Sequence, residues 1–429
     1  MMNFLLCGLL LLLYALGRFH KRILYPSIVF GLMWGFCCIY TAAIIEGYGE
    51  NLFLKEIYSF KYMDTYIIYF TIASLLGFSI AHKLYGKMGI HLKFSLDFID
   101  RILTKYKFIM WLNFFGGLIR IFMLISAVGF DLNNVMDYRL AANKIVLYGG
   151  ASLTVIIFRI TGYIQMLANF YIALYGLRVG FGKIDIKKML KIFILYSPTQ
   201  LATGGRLFVL YFVIFFFGSF FLGRGISMTY KKRKWFLRKE RRAVALIFSS
   251  LIIIVALIGM SRNLEEGKYV GKESFVEKFA YITEGMLLAE YGMQQLPVGS
   301  FQQSNGAETV IGGTDNYWKF RAVLLGTKMS SSVICIIFPL YLDFGYWGSL
   351  IAWFFIALFI ESLFLNLLSK LTMIRFFILT ILLKIIFETV LTNSIYDNIP
   401  VYQLIILFAL FYKPLFGRFK RLKHDYEGQ

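Results

Sequence analysis

Long, continuous apolar runs decide what this chain can become. NFLLCGLLLLLYALG (3–17) is one, and from Val333 to Ile360 a single charge, Asp343, interrupts another. Several such runs approach ~20 residues, the length of helix that spans ~30 Å of hydrocarbon. Across 429 residues the chain is 59% hydrophobic and 16% charged, with mean hydropathy +0.68. No soluble domain of this size needs so much apolar surface. The runs do not alternate with polar residues, so they read as helices rather than as strands of a barrel. The expected fold is an all-α polytopic integral membrane protein, one transmembrane domain over 1–429.

The spans read as 2–17, 23–45, 65–82, 108–128, 150–176, 187–203, 206–223, 243–260, 346–368, 376–392 and 399–416, about 11 in all. The first lacks a basic leader and is followed by its positive residues, so it reads as a retained span, not a signal peptide. The net charge of +21 sorts by loop. RFHKR (18–22) is basic, 83–107 holds six Lys or Arg, 178–191 five and 224–242 nine, and the tail after Phe416 is basic too. Placing these inside puts the N-terminus outside, the C-terminus inside and the long loop 261–330 outside, ahead of the last three spans. The 224–242 loop then reads as a cytoplasmic topology determinant touching anionic membrane lipid, not as a nucleic-acid site. The four Cys (Cys7, Cys37, Cys38, Cys335) form no C-x-x-C pair, so neither a disulfide framework nor a metal centre is implied. The four His (His20, His82, His91, His424) fall on inner loops or the tail.

The same bookkeeping leaves 331–342 too short for a crossing. Together with Pro339 this suggests a re-entrant or interfacial helix, with Asp343 at the outer mouth where the span 346–368 begins. A broken span with Asp343 at its kink is the alternative. Asp-Phe-Gly is also a kinase tripeptide, but the Gly-rich loop and the H-R-D motif that a kinase needs are missing.

Charges within the spans are costly and usually face an internal cavity. Arg120 and Arg159 each lie about nine residues from the outer end of their spans, roughly 13 Å deep at ~1.5 Å per residue. Two arginines at matching depth call for an anion nearby, a phosphate or a carboxylate. Glu361, Lys384 and Glu388 read as a structural ion-pair cluster. Arg206 opens a span behind the turn Gly204-Gly205, whose exposed N–H groups and helix start favour an anion; a snorkelling side chain is the rival reading. The 261–330 loop brings Arg262, Arg321, Glu284 and Glu290 among interleaved Tyr, Trp and Phe, a mixture suited to sugars.

Four features together resemble the Wzy-type oligosaccharide repeat-unit polymerases, which make O-antigen and capsule. They are Y-x-D-F-G-x-x-G (Tyr341, Asp343, Phe344, Gly345, Gly348), the T-G-G-R turn at 203–206, Arg139-x10-Gly150, and eleven to twelve spans with one long outer loop. A second arginine motif would fall at Arg262, where Gly271 follows after only eight residues. The resemblance implies a GT-C-like architecture and substrates carried on undecaprenyl pyrophosphate. It implies no metal or other cofactor, and a location in the bacterial inner membrane with the active site facing the periplasm. A polysaccharide chain-length regulator is a candidate partner. Under it, Arg206, Arg159, Arg120, Arg139, Arg262 and Arg321 become candidate pyrophosphate binders. Asp343, Glu284 and Glu290 become candidate bases, Gly204, Gly205 and Gly345 the turns, and Asp343 equally a helix cap. A flippase for the same lipid-linked oligosaccharide and an O-antigen ligase are the competing functions. Against them stand the absence of an internal repeat and of an outer-face histidine.

Overall fold

A computed structural model describes residues 2–19, 23–52, 62–86, 89–129, 153–182, 185–201, 211–231, 285–286, 289–290, 293 and 335–390. Helices account for nearly all of them. They are α1 (Met2–Arg18), α2 (Pro26–Leu52), α3 (Met63–Tyr85), α4 (Leu96–Lys105), α5 (Phe108–Val128), α6 (Leu153–Phe181), α7 (Ile186–Leu201), α8 (Ser219–Lys231), α9 (Ile337–Ser369) and α10 (Met373–Glu388). A π-helical turn, Val213–Gly218, leads into α8. Among the described residues, Pro26–Ala43, Met63–Tyr85, Leu96–Ala127, Leu153–Phe181 and Phe344–Ser369 are long and apolar enough to cross a membrane. The chain is an all-α membrane protein. The expected spans 243–260 and 399–416 lie outside the described residues, as does most of 261–330.

The chain divides into two compact units. The first comprises Met1–His91, Ser274–Lys370 and Ile381–Pro400; the second comprises Leu92–Glu273, Leu371–Thr380 and Val401–Gln429. In lipid, apolar helices gain little by hiding from one another, so close backbone approach through small residues must hold them. The first unit does this at the α1–α2 crossing, where a β-carbon at Gly8 would stand 2.6 Å from Ile39 and 2.8 Å from the Gly35 carbonyl oxygen. α3 meets α9 the same way, since a β-carbon at Gly77 would come within 2.8 Å of the Phe354 carbonyl oxygen. Between these helices Phe30, Trp34, Phe70, Phe78 and Trp353 stack in one buried group with ring centroids 4.8 to 6.0 Å apart. Their polar handles are satisfied in place: Trp353 donates to Ser74 (2.7 Å) and Trp34 to Thr389 (2.9 Å).

The second unit repeats the device. Gly176 and Gly180 of α6, four residues apart, lie against the strand of chain that forms the π turn and α8; a β-carbon at Gly180 would stand 2.5 Å from the Phe220 carbonyl oxygen. α8 carries the chain to Lys231, so Arg224, read above as the first residue of a basic loop, is helical and fully buried, its guanidinium 5.5 Å from the Phe220 ring. α4 packs through Ile99, Ile102 and Leu103, and a two-pronged Arg178–Asp100 bridge, both contacts 2.8 Å, ties it to the end of α6.

Around Asp343 the two alternatives meet an observed geometry. Residues 337–369 form one element broken at Gly345, whose φ of 68° and ψ of −172° are open to glycine and strained for any other residue. The short apolar piece and the span are thus two helical arms that meet at Gly345, the first starting at Ile337 and the second running to Ser369. The first arm is pinned at its start: Ile336 donates to the Thr389 carbonyl (2.8 Å) and the Cys335 thiol to the Gly285 carbonyl (3.2 Å).

Candidate functional site

Asn113, Gly117 and Arg120 recur on α5 at intervals of four and three, so they share one face of the helix. That face looks onto two neighbours. Gly117 makes room for α7 where Pro198 interrupts it: a β-carbon there would stand 2.5 Å from the Pro198 carbonyl carbon. Proline supplies no N–H and frees carbonyls in the preceding turn, a cost that must be met inside a membrane. Ser197 takes the Ile194 carbonyl (3.0 Å), and the Asn113 amide donates to the carbonyls of Leu195 (3.0 Å) and Tyr196 (3.2 Å). Thr199 donates back to the Asn113 carbonyl, and the Tyr196 hydroxyl donates to Asn169 on α6 (2.7 Å). The result is a polar seam of Asn113, Asn169, Tyr196 and Thr199, all buried among apolar helices.

Arg120 lies one turn beyond Gly117. Only 5% of it is exposed. Its Nε donates to Thr161 Oγ1 and an Nη to the Phe158 carbonyl, while the guanidinium lies 4.9 Å from the Phe158 ring. Gly162 leaves the space beside it, since a β-carbon would come 3.3 Å from Nη2. Thr161 turns its own proton to the Ile157 carbonyl (2.8 Å), which leaves an oxygen lone pair for the arginine. Every acceptor here is neutral. Among the described residues no carboxylate pairs with Arg120; the groups that hold its guanidinium there are a hydroxyl, a carbonyl and an aromatic face.

Arg159, expected beside it at the same depth, is on α6 next to the Phe158 that Arg120 uses. It is exposed, and the described contacts do not join the two arginines. Glu290 is fully buried and caps α3: its two oxygens accept from the backbone N–H groups of Tyr62 (3.2 Å) and Met63 (2.6 Å). Residues 285, 286, 289, 290 and 293, part of the stretch read as an outer loop, are helical and buried in the first unit. Gly345 is the kink of α9. Asp343 belongs to the same helix two residues earlier, and its side chain lies outside the described residues. Glu284, Arg139, Arg206, Gly204, Gly205, Arg262 and Arg321 also lie outside the described residues.

Glu361, expected in an ion-pair cluster with Lys384 and Glu388, has partners that the sequence reading missed. Glu361 accepts from the Ser27 N–H (3.0 Å) and hydroxyl (2.8 Å) and meets His82 Nδ1 at 3.0 Å, with Tyr25 edge-on to the imidazole at 4.8 Å. His82, read as an inner-loop residue, is in the last turn of α3 and buried. Lys384 and Glu388 pair with each other at 3.0 Å, and Glu361 takes its donors from Ser27 and His82 rather than joining them. Charge patterning gave no sign of these partners, because a histidine at a helix end and a serine behind a proline do not stand out in an apolar run. Asn113 and Pro198 were not singled out either, although a polar and a helix-breaking residue within spans could have marked them.

Among the described residues, no three His, Cys, Asp or Glu side chains gather in a way that would hold a metal ion. No protein-family model matches the chain, and comparison with curated proteins and with solved structures returns no match.

Proposed function

We propose that the chain polymerises lipid-linked oligosaccharide repeat units, as a Wzy-type glycosyltransferase with a GT-C-like arrangement of about eleven spans. It would lie in the bacterial cytoplasmic membrane, with its N-terminus and active site on the outer side. In the reaction the bond between the anomeric carbon of the growing glycan and its undecaprenyl pyrophosphate breaks. A new bond forms from that carbon to a hydroxyl of the incoming repeat unit, and the hydroxyl proton passes to a base. The leaving pyrophosphate needs charge stabilisation more than protonation. Arginine suits that task because it stays charged and binds phosphate oxygens with two parallel N–H groups.

The observation that carries the reading is Arg120: a buried guanidinium, oriented by Thr161 and the Phe158 carbonyl, whose charge no described carboxylate balances. A preoriented cation in a low-dielectric site is worth far more to a developing anion than one in water. The Y-x-D-F-G-x-x-G motif adds support, with Gly345 supplying a backbone bend next to Asp343. Glu290, with both oxygens on the α3 N-terminus, suits a positioning role better than that of a base.

Complementation tests this. In a strain lacking the gene, Arg120→Ala, Arg206→Ala and Asp343→Asn are each expected to abolish long-chain glycan. Long-chain glycan persisting in both Arg206→Ala and Asp343→Asn would sink the assignment.

A further inference from the structure

The second unit carries a built edge between lipid-facing and charged surface that the proposed chemistry does not use. Lys107 stands directly ahead of α5, one turn before Trp111 on the same face of the helix. Lys187 and Lys191 repeat that interval on α7. The two helices are joined at this edge because the Lys191 ammonium lies 5.9 Å from the Trp111 ring, and Trp111 in turn stacks on Phe115 with centroids 6.1 Å apart. All three lysines are exposed. Directly along the helices from them, Phe108, Trp111, Leu112 and Phe115 on α5 and Leu190 and Ile194 on α7 are exposed as well. The surface thus changes within two turns from apolar to predominantly basic, with a tryptophan at the line, as expected where acyl chains give way to headgroups.

Among the described residues of this edge, ammonium groups outnumber carboxylates. Neither α5 nor α7 contains an acid. Asp185 precedes α7 and spends one oxygen on the Lys188 N–H (3.2 Å), and Asp100 is engaged by Arg178. Lys188 adds a fourth exposed ammonium, 5.5 Å from the Tyr175 ring.

We infer that Lys107, Lys187 and Lys191, at the edge that Trp111 marks, form a binding site for the phosphate of an anionic phospholipid, whose acyl chains lie along Phe115, Leu190 and Ile194. The occupant is a resident lipid of the leaflet, not substrate, and the site stands whether or not the chain is a polymerase. A phosphodiester brings negative charge to an edge where the described lysines outnumber the acids, and the adjoining apolar strip is where a free phosphate would have nothing to contact.

The test is thermal unfolding of the full chain in uncharged detergent, titrated with phosphatidylglycerol, phosphatidylcholine or inorganic phosphate. Phosphatidylglycerol is expected to raise the midpoint saturably, and the other two are not. The combined Lys107→Gln, Lys187→Gln, Lys191→Gln variant is expected to need at least tenfold more phosphatidylglycerol for the same shift, and the matching Lys→Arg variant to recover it. Lys93→Gln, Arg101→Gln, Lys105→Gln removes the same charge elsewhere on the unit and is expected to titrate like the wild type. Equal losses in the two neutralised variants would reduce the effect to overall charge and overturn the site. So would equal shifts with phosphatidylcholine, or a full shift with inorganic phosphate alone.

Discussion

The two units treat buried charge in opposite ways. In the first, Glu361 and Glu290 are completely enclosed, and each carboxylate is saturated by donors from elsewhere in the unit: Ser27 and His82 for one, the start of α3 for the other. Both bind backbone N–H groups in the first turns of a helix, where the helix dipole favours a negative charge. These acids fasten helices together. In the second unit Arg120 is almost as deeply buried, and its partners among the described residues are a hydroxyl, a carbonyl and an aromatic face. Its partners orient the charge without cancelling it. A saturated buried charge is a structural tie; an oriented and unbalanced one is available to a ligand.

The largest effect should come from cutting a tie. Glu361→Ala leaves the Ser27 donors and His82 Nδ1 facing a cavity, and is expected to cost about 3–5 kcal/mol of stability, read as a lowered unfolding midpoint in detergent. If that midpoint stays unchanged, the first half of the contrast fails. Arg120→Gln should do the reverse. Thr161 keeps its bond to Ile157, so stability should move by no more than about 1 kcal/mol, whereas the proposed polymerising activity should fall on the order of a hundredfold. A large stability loss with activity intact per folded molecule would make Arg120 another tie.

Smaller effects sharpen the frame around those charges. Gly180→Val pushes two methyls and a β-carbon onto the Phe220 carbonyl, and is expected to destabilise by about 1–3 kcal/mol; Gly182→Ala, at the end of the same helix, serves as the milder control. Gly345→Ala should cost about 1–3 kcal/mol because its positive φ is strained for a residue with a side chain. If the kink serves the site, activity should drop by more than the stability change explains. Ordinary stability and activity in Gly345→Ala would show that the break in α9 is incidental.

What the sequence made legible follows from which forces leave a local mark. Hydrophobic runs longer than a turn or two of any soluble helix announce membrane helices, so α3, α5, α6 and the second arm of α9 fall close to their expected limits. Arg120 was visible because a charge in such a run stands out. The role of Gly345 was less so: Y-x-D-F-G-x-x-G marks the place, but whether the chain turns back or merely kinks depends on what holds the preceding arm, here Thr389 and Gly285, far along the chain. Glu361 with Ser27 is a contact across 334 residues, and no local pattern encodes it. The same holds for Arg159. Depth along a helix can be counted, but the face it presents depends on the neighbours, and the neighbours leave it exposed.

Under the proposed function, Arg120 presents a charge that no described carboxylate balances to an anionic lipid carrier. Binding of a polyprenyl pyrophosphate to the purified protein, compared between wild type and Arg120→Gln at matched fold and detergent, tests it most directly. The account predicts at least tenfold weaker binding in the variant, with the uncharged polyprenol binding both proteins equally poorly. Equal affinity of both proteins for the pyrophosphate would contradict it.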